Sequence, residues 1–396
     1  MKRFNITNII SSISNFWWLE TKNTFKDEGI IIFFIIVPLI YPLLYSWIYS
    51  NEVVRNVPIV VVDQSNSHAS RHFINKLDAS PDVKVEFKCS NIEEAKELLA
   101  KQDAKGIIFF PNDFQKKLYR GEQSHISIFC DMSLMLTYKA IYTTTMYVSL
   151  EINKEIQKQK LPALTKEQEN VSTEPISVEA KPIFNTTIGY GNALLPGVLI
   201  LIIQQTLLLG IGLAAGTAKE NNTYENIDTT NGLHIKTFEL LVGKSLCYFL
   251  IYIVMTSYVL LCVPRFFNFT MIAHPDDLIA FITPYLLSVI FFSITISIAV
   301  KHRESIMLLT VFTSLPLLFL SGASWPEASI PTIWKYISWI FPSTFGIRGF
   351  QRLASMGGNI NDVKIEHYAL LAQAIVYFII AYTVHYYQLY KIKKQS

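Results

Sequence analysis

The chain has 396 residues and is 51% hydrophobic but only 16% charged, whereas soluble domains usually carry about 25% charged residues. This deficit predicts membrane-spanning segments beside at least one water-soluble part. The net charge of +3 is too small to indicate a nucleic-acid partner, and the four cysteines lack the spacing of a metal site, so we predict neither.

Six apolar runs are long enough to cross a membrane, because a hydrocarbon core of about 30 Å requires about 20 helical residues. The runs are Gly29–Tyr49, Ala193–Ala218, Ser245–Val263, Leu278–Val300, Ser305–Leu320 and Tyr368–Tyr390. The first run is longer than a secretory signal core and no small-residue cleavage pattern follows it. We therefore predict that residues 29–50 are retained as transmembrane helix 1, and that residues 186–396 contain transmembrane helices 2–6.

Lysine and arginine residues near the ends of these runs predict the orientation, because such residues concentrate in cytoplasmic loops. With the N-terminus inside, the inner flanks contain Lys2, Arg3, Lys22, Lys26, Lys219, Lys236, Lys244, Lys301, Arg303, Lys391, Lys393 and Lys394. The short outer connections contain only Arg265, Lys335, Arg348, Arg352 and Lys364. Both termini are therefore predicted to be cytoplasmic and residues 51–185 extracytoplasmic.

Residues 1–28 are predicted to form a cytoplasmic amphipathic helix that lies in the membrane interface. Apolar side chains recur there at near-helical spacing, at Ile6, Ile9, Ile10, Ile13, Phe16 and Trp17. Trp17 and Trp18 suit the depth of the lipid headgroups. A disordered tail before the first run is the alternative that the sequence leaves open.

The segment between the first two runs alternates strand and helix patterns, which predicts an α/β domain with a partly parallel sheet. The predicted strands are Pro58–Val62, Val83–Phe87, Gly106–Phe110 and Ile126–Phe129, and the predicted short helices are Ser67–Leu77, Asn91–Lys101 and Asp113–Gly121. Ser133–Lys160 reads as one helix of roughly 40 Å, which projects as a stalk or packs along a partner. The predicted fold class is thus a polytopic α-helical membrane protein with six transmembrane helices and an inserted extracytoplasmic α/β domain.

A loop after the first predicted strand contains the residue types of a hydrolase site, namely Asp63, Ser65, Ser67, His68 and Ser70. A Ser/His/Asp hydrolase holds its serine on a strained turn such as G-x-S-x-G, and residues 57–104 contain no glycine. Helix capping by Asn66 or Ser67 and an Asx turn at Asp63 explain the loop better, so we predict no catalytic residue. Cys89 and Cys130 lie in the same domain, and the sequence leaves open whether they form a disulfide.

The tripeptide Gly243-Lys244-Ser245 has the ending of a phosphate-binding loop, but that motif needs a further glycine at position 238, which is phenylalanine. We therefore predict that this chain binds no nucleotide and is not an enzyme. A lysine at mid-membrane costs about 2.5–3.5 kcal/mol, so Gly243 and Lys244 are predicted to lie at the membrane interface.

Few polar groups interrupt the predicted spans. Gln204 and Gln205 fall in the middle of the second run, where they line a conduit or hydrogen-bond to a neighbouring helix. No run contains an Asp or Glu, which argues against a proton- or sodium-coupled carrier.

The stretch after the fifth run, residues 321–361, is too broken to span and too apolar for an ordinary loop, so it is predicted to lie at the outer membrane interface or to re-enter the membrane as short helices. A gate at the outer mouth and a simple interfacial cap are both open for it. The residues assigned to a pathway or gate are Gln204, Gln205, Ser321, Gly322, Pro326, Pro331 and Pro342.

Several segments together resemble the permease of type-two ATP-binding-cassette (ABC) exporters, in the branch with a large extracytoplasmic domain after the first helix. The segments are VVVDQSNSHASRHFINKLDAS (Val60–Ser80), LLPGVLILIIQQT (Leu194–Thr206), AKENNTYENI (Ala218–Ile227), LLVGK before the third run, and LSGASWPEASIP with a later FP (Leu320–Pro342). Two departures concern the cytoplasmic motif, where Asn222 replaces the family's glycine and Asn231 its proline.

The resemblance implies that separate ATPase subunits dock on the cytoplasmic loop 219–238 and on the N-terminal helix. The implied coupling residues are Lys219, Glu220, Thr223, Glu225 and Lys236. ATP and Mg would be bound by the ATPase subunit, with no cofactor in this chain.

The implied partners are a second permease copy or paralogue, the lipid bilayer of a bacterial inner (cytoplasmic) membrane, and a periplasmic adaptor with an outer-membrane channel. The implied substrate is a drug, lipid or other amphipathic molecule. The alternative is a membrane-anchored receptor or scaffold, whose external domain binds a phage, a cell-envelope component or an efflux adaptor without transport.

Overall fold

A computed structural model describes residues 6–50, 53–160, 165, 168, 172–173, 183–185, 189–220, 233–299 and 303–395. The chain divides into two compact units. One is helical and consists of residues 1–52 and 182–396, and the other is Val53–Lys181.

Within the described residues, the helical unit contains six helices that are long and apolar enough to cross a membrane. We call them spans 1 to 6, and they cover Glu28–Tyr49, Tyr190–Glu220, Leu233–Phe266, Pro275–Ile298, Arg303–Leu320 and Lys364–Lys391. A separate helix, α1, precedes them at Ile6–Thr24. This arrangement confirms the predicted polytopic helical membrane fold.

Span 3 begins at Leu233, well before the predicted start at Ser245. The apolar run was taken to end at charged residues, but the structure keeps Glu239 and Lys244 inside the helix, both buried. Glu239 lies 3.3 Å from the ammonium of Lys236, one helical turn away. The prediction that no span contains a buried acid is therefore wrong, because pairing with a neighbouring cation lets Glu239 stay inside the helix.

Two spans contain a short π-helical stretch directly before a proline. Ile32–Ile36 precedes Pro38 in span 1, and Tyr258–Cys262 precedes Pro264 in span 3. A proline has no N–H to offer to the carbonyl four residues earlier. In the π-helical stretch the carbonyls instead accept from residues five positions on, so the helix continues past the proline.

The second unit is built around a four-stranded sheet. Its strands are β1 (Val57–Asp63), β2 (Val83–Cys89), β3 (Gly106–Phe110) and β4 (Ser127–Cys130), in the spatial order β2-β1-β3-β4. β1 pairs in parallel with β2 and β3, and β4 is antiparallel to β3. The helices are α2 (His68–Asp78), α3 (Ile92–Ala100), α4 (Phe114–Arg120) and α5 (Met135–Lys160).

Side chains of β1 alternate between the two faces of the sheet, as the period of a strand requires. Ile59 and Val61 pack on the face that α2 and α5 cover, whereas Val60 and Val62 pack on the face that α3 covers. α5 is thus fixed along one side of this unit, and ion pairs from Lys76 of α2 to Glu151 and Glu155 reinforce the contact.

The loop with the hydrolase-like residues has a structural role. The Asp63 carboxylate accepts hydrogen bonds from the backbone N–H groups of Ser65 and Asn66 and from the hydroxyl of Ser70. Ser67 caps α2 by accepting a hydrogen bond from the Ser70 N–H. These hydrogen bonds provide partners for the polar groups of the loop and stabilise the turn from β1 into α2.

Cys89 and Cys130 are free thiols. They end β2 and β4, which β1 and β3 separate in the sheet. Burial raises the pKa of the Cys130 thiol to about 11, which keeps it protonated and unreactive.

The segment after span 5 forms two helices, α6 (Thr332–Ser338) and α7 (Pro342–Met356), preceded by a 3-10 turn at Glu327–Ser329. α7 packs against spans 2, 4 and 6. Span 2 lies at the centre of the helical unit and contacts spans 1, 4 and 5 as well.

Candidate functional site

The residues assigned to ATPase coupling fall partly inside the described chain. Thr223 and Glu225 lie outside the described residues, and Glu220 is exposed at the end of span 2. Lys219 donates hydrogen bonds to the carbonyls of Ser297 and Ile298, at 3.2 and 3.0 Å. Those carbonyls end span 4, so the lysine stabilises the negative end of that helix and joins spans 2 and 4.

α1 is joined to span 3 by a buried ion pair between Glu20 and Lys244, whose Oε2 and Nζ atoms lie 3.4 Å apart. Glu20 is 6% exposed and Lys244 8%. The hydroxyl of Tyr248 donates to the same carboxylate, and the next residue of α1, Thr21, donates from its hydroxyl to the thiol of Cys247. We call this group the α1–span 3 junction.

Gly243 lets the two helices of this junction approach closely. A Cβ atom at this position would lie 2.7 Å from the Cβ of Phe16, 3.0 Å from the carbonyl oxygen of Ile13 and 3.1 Å from the backbone nitrogen of Trp17. Lys236 lies on the same side, with its ammonium 5.1 Å from the centre of the Phe16 ring. Gly243, Lys244 and Lys236 therefore all contribute to the seat of α1 on span 3.

The two tryptophans of α1 have different surroundings. Trp17 packs against the apolar core of the helical unit, whereas Trp18 is 63% exposed. An exposed indole beside a packed one suits a helix that lies at a membrane surface, and the headgroup depth of both residues stays a prediction.

Spans 2, 3, 4 and 6 border a small cavity beside the junction. Lys219, Lys244 and His385 line it, and its volume of about 10 Å³ has room for one water molecule but not for a substrate.

The pathway and gate residues meet where α7 begins. The Oε1 atom of Gln204, in span 2, accepts a hydrogen bond from the N–H of Ser343 at 2.6 Å, and Pro342 occupies the first turn of α7. Gln204 thus forms a hydrogen bond between two helices, which is one of the two roles predicted for it. Both polar atoms of the Gln205 amide are buried and have no hydrogen-bond partner among the described residues.

Replacing Gln204 with leucine is expected to destabilise the helical unit by about 1–3 kcal/mol, because the buried N–H of Ser343 loses its acceptor. Thermal unfolding of the detergent-solubilised protein measures this loss. Gln205→Leu is the matched control, because it removes no hydrogen bond that the described structure contains. Equal losses for the two variants would contradict the assignment of Gln204.

Ser321 and Gly322 directly follow span 5 and lie next to Arg348, which the sequence indicated only as one of the basic residues of the outer connections. Arg348 of α7 donates from Nε to the carbonyl of Ser321 at 3.0 Å, and its Nη1 atom lies 3.1 Å from Glu327. Glu327 also pairs with Lys335 of α6 at 2.6 Å. Pro326 and Pro331 precede the 3-10 turn and α6. The charges of Glu327, Lys335 and Arg348 thus tie the 3-10 turn, α6 and α7 to the end of span 5.

Replacing Glu327 with glutamine is expected to destabilise this outer cluster by about 1 kcal/mol at neutral pH, the value of partly exposed ion pairs. The hydrogen bond from Lys335, together with the charge of Arg348, holds the pKa of the Glu327 carboxyl below its ordinary value of 4.5. Because the pKa is lowered, the contribution persists down to about pH 4.5 and disappears as the pH falls through the lower value. Unfolding curves of both proteins from pH 7 downwards test this, and a difference that already shrinks near pH 6 would contradict it.

Sequence reasoning did not find Glu20, Glu327 or the role of Arg348. Glu20 was detectable, because it is the one acidic residue in the sequence of α1 and lies on an otherwise apolar and hydroxyl-rich helix. The partners of Glu327 and Arg348 depend on the folding of the outer segment, which no local pattern shows.

Comparison with known proteins relates most of the chain to transporters. A family model described as "ABC-2 family transporter protein" matches residues 29–383. The chain is also similar to the linearmycin resistance permease protein LnrN of Bacillus subtilis (strain 168). The two are 22% identical over 356 residues, which cover 81% of this chain and 86% of that protein.

Proposed function

The chain belongs to the ABC-2 family of transporter proteins, and on that premise we propose that it is the permease subunit of an exporter that separate ATPase subunits drive. The membership confirms the resemblance to type-two ABC permeases and makes the chain a membrane subunit of an ABC transporter. Export, the substrate and the partners are the proposed part.

The observation that carries the proposal is the buried Glu20–Lys244 pair within the α1–span 3 junction. Burying a charged side chain in a membrane protein costs free energy unless an opposite charge lies close to it. The buried pair therefore points to a specific attachment of α1 to span 3. An ATPase that moves α1 would thereby move span 3. The proposed docking surface is α1 together with the segment 219–238, which was predicted as a loop but whose two ends belong to spans 2 and 3. Glu220, Thr223 and Glu225 are its proposed contact residues, whereas Lys219 and Lys236 are proposed to act from inside the helical unit, where they contact span 4 and α1.

A second permease is proposed as a partner, as the resemblance to type-two ABC permeases implies. Span 5 also presents large apolar side chains outward, at Leu308, Val311, Phe312 and Leu315. These suit contact with lipid or with another copy, and a pathway would then run between two copies, which are identical or paralogous. A periplasmic adaptor with an outer-membrane channel remains a further proposed partner.

Export is supported by the name of the relative, which assigns that protein to linearmycin resistance. Resistance by a permease fits removal of a toxic amphipathic compound from the cell, so the proposed substrate is a drug, lipid or similar molecule. The proposed location is a bacterial inner membrane with both termini cytoplasmic and residues 51–185 outside. ATP and Mg would be bound by the ATPase subunit, and this chain would not itself be an enzyme.

The test is co-purification of ABC ATPase subunits with the chain from its host, followed by ATP-dependent transport in reconstituted vesicles. We expect a stable complex, and we expect Glu225→Lys to abolish transport while Glu122→Lys, at an exposed position of the α/β unit, does not. If no ATPase associates and Glu225→Lys leaves function intact, the exporter assignment is wrong and the receptor or scaffold alternative takes its place. Reporter fusions at residues 120, 230 and 303 test the orientation, and an external signal at residue 230 would overturn it.

A further inference from the structure

Asp27 lies between α1 and span 1, and its carboxylate is bonded by three different parts of the helical unit. Oδ1 accepts from the N–H groups of Gly29 and Ile30, which begin span 1, and from Nη2 of Arg303 at 2.6 Å. Oδ2 accepts from the hydroxyl of Thr217 at 2.9 Å. Thr217 lies near the end of span 2 and Arg303 begins span 5, so one carboxylate joins the ends of spans 1, 2 and 5.

The carboxylate is held in its charged form. Burial raises the pKa of Asp27, but the hydrogen bonds from Thr217 and Arg303, together with the charge of Arg303, lower it more. The pKa therefore lies below the ordinary value of 3.8, and the ion pair is present at neutral pH.

Glycines make room for Arg303 and for the first turn of span 5. A Cβ on Gly29 would lie 2.6 Å from Nη2 of Arg303, and one on Gly216 would lie 3.2 Å from its Cα. One turn further along, a Cβ on Gly212 would lie 2.2 Å from a side-chain carbon of Ile306. Gly212 and Gly216 thus form a small-residue seam along which spans 2 and 5 pack closely.

Span 5 has little other support in the helical unit. Only 17% of the residues in its most apolar stretch are buried, compared with 78% in that of span 2. Among the other spans, its main contact is with span 2. The seam and the Asp27 ion pair are therefore what hold the inner half of span 5 in place.

We propose that Asp27, Thr217 and Arg303 form a joint that stays closed during the transport cycle and carries the movement of α1 to span 5. The proposal rests on the proposed exporter function. Asp27 follows the end of α1 by three residues, so a displacement of α1 by the ATPase pulls on the carboxylate and through it on Arg303. Opening the joint would leave a part-buried carboxylate without its cation and separate a tightly packed seam, which is why spans 2 and 5 move together.

A double-mutant cycle on transport tests the ion pair. Asp27→Asn keeps a good helix-capping side chain but removes the charge, and Arg303→Gln removes the cation. Because each single variant breaks the same joint, each is expected to lower transport per ATP hydrolysed about tenfold, and the double variant to lower it no further. Glu28→Gln, at the exposed neighbouring position, is the matched control and is expected to change it by less than about twofold.

The outcomes separate the joint from the exporter function. If the losses of the two single variants multiply in the double variant, or if ATP hydrolysis falls in parallel with transport, the joint is refuted while the exporter function stands. If the unaltered complex shows no ATP-dependent transport, the exporter function fails and the joint fails with it.

A disulfide across the seam tests whether the joint stays closed. A Cβ at position 212 would lie 3.0 Å from the Cβ of Ile306, close to the separation of about 3.5–4.5 Å in disulfides, so Gly212→Cys with Ile306→Cys is expected to cross-link on oxidation. Mass spectrometry of the digested protein detects the bond, and the two variants with only one of these substitutions, which keep the four native cysteines, are the controls. We expect transport to survive oxidation. Failure to cross-link, or a loss of transport that reductant reverses, would overturn the proposal.

Discussion

Replacing Lys244 with methionine is expected to destabilise the helical unit by about 3–5 kcal/mol, because the buried carboxylate of Glu20 loses its counter-ion. The two side chains are almost fully buried, and their charged atoms lie 3.4 Å apart. The hydroxyl of Tyr248 still donates to Glu20 in the variant, but one neutral donor does not replace a cation. Thermal or denaturant unfolding of the detergent-solubilised protein measures the loss.

The double variant Glu20→Gln with Lys244→Met is expected to recover much of this stability, because it leaves no buried charge uncompensated. Lys26→Met is the control, since Lys26 is exposed. A double variant as unstable as Lys244→Met alone would show that the lysine acts through contacts other than the ion pair. For transport the expectation differs. Glu20→Gln, Lys244→Met and the double variant all loosen α1 from span 3, so all three are expected to transport poorly.

The helices and strands could be predicted from the sequence because their patterns are local. Uncharged runs and strands of alternating burial depend on neighbouring residues, and the four strands lie within two residues of their predicted bounds. The start of span 3 could not be placed in this way. Its first turns contain Lys236, Glu239 and Lys244, and a charge ends an apolar run unless its partner in space is known.

The candidate site shows the same limit. A charged, small or amide residue is unusual in an apolar helix, which is why the sequence indicated Lys244, Gly243 and Gln204. It did not indicate which residues these three contact. Glu20 is more than two hundred residues from Lys244 in the chain. Ser343 is also distant from Gln204 in the sequence, and it contributes a backbone N–H, which no residue type reveals. Sequence therefore indicates which residues matter, and only the packing of the helices shows what each of them holds.

Replacing Gly243 with leucine is expected to displace α1 from span 3 and to lower ATP-dependent transport at least about tenfold. The physical reason is that an overpacked contact typically costs about 1–3 kcal/mol, which is enough to weaken the attachment of α1 by that factor. Two of the three atoms that a Cβ would crowd, the carbonyl oxygen of Ile13 and the nitrogen of Trp17, belong to the backbone of α1. A side chain can change rotamer, but a helix backbone can only move as a whole. Gly243→Ala is expected to show a smaller loss of the same kind.

Leu246→Phe on the same helix is the matched control, because Leu246 is exposed and its enlargement points away from the core. Limited proteolysis with trypsin at Lys22 reports the position of α1 directly, and we expect faster cleavage in Gly243→Leu than in Leu246→Phe. If both variants transport and resist proteolysis alike, α1 is not seated on span 3 in the working transporter. If α1 is released but transport persists, the ATPase moves the spans without α1, and the segment 219–238 alone carries the coupling.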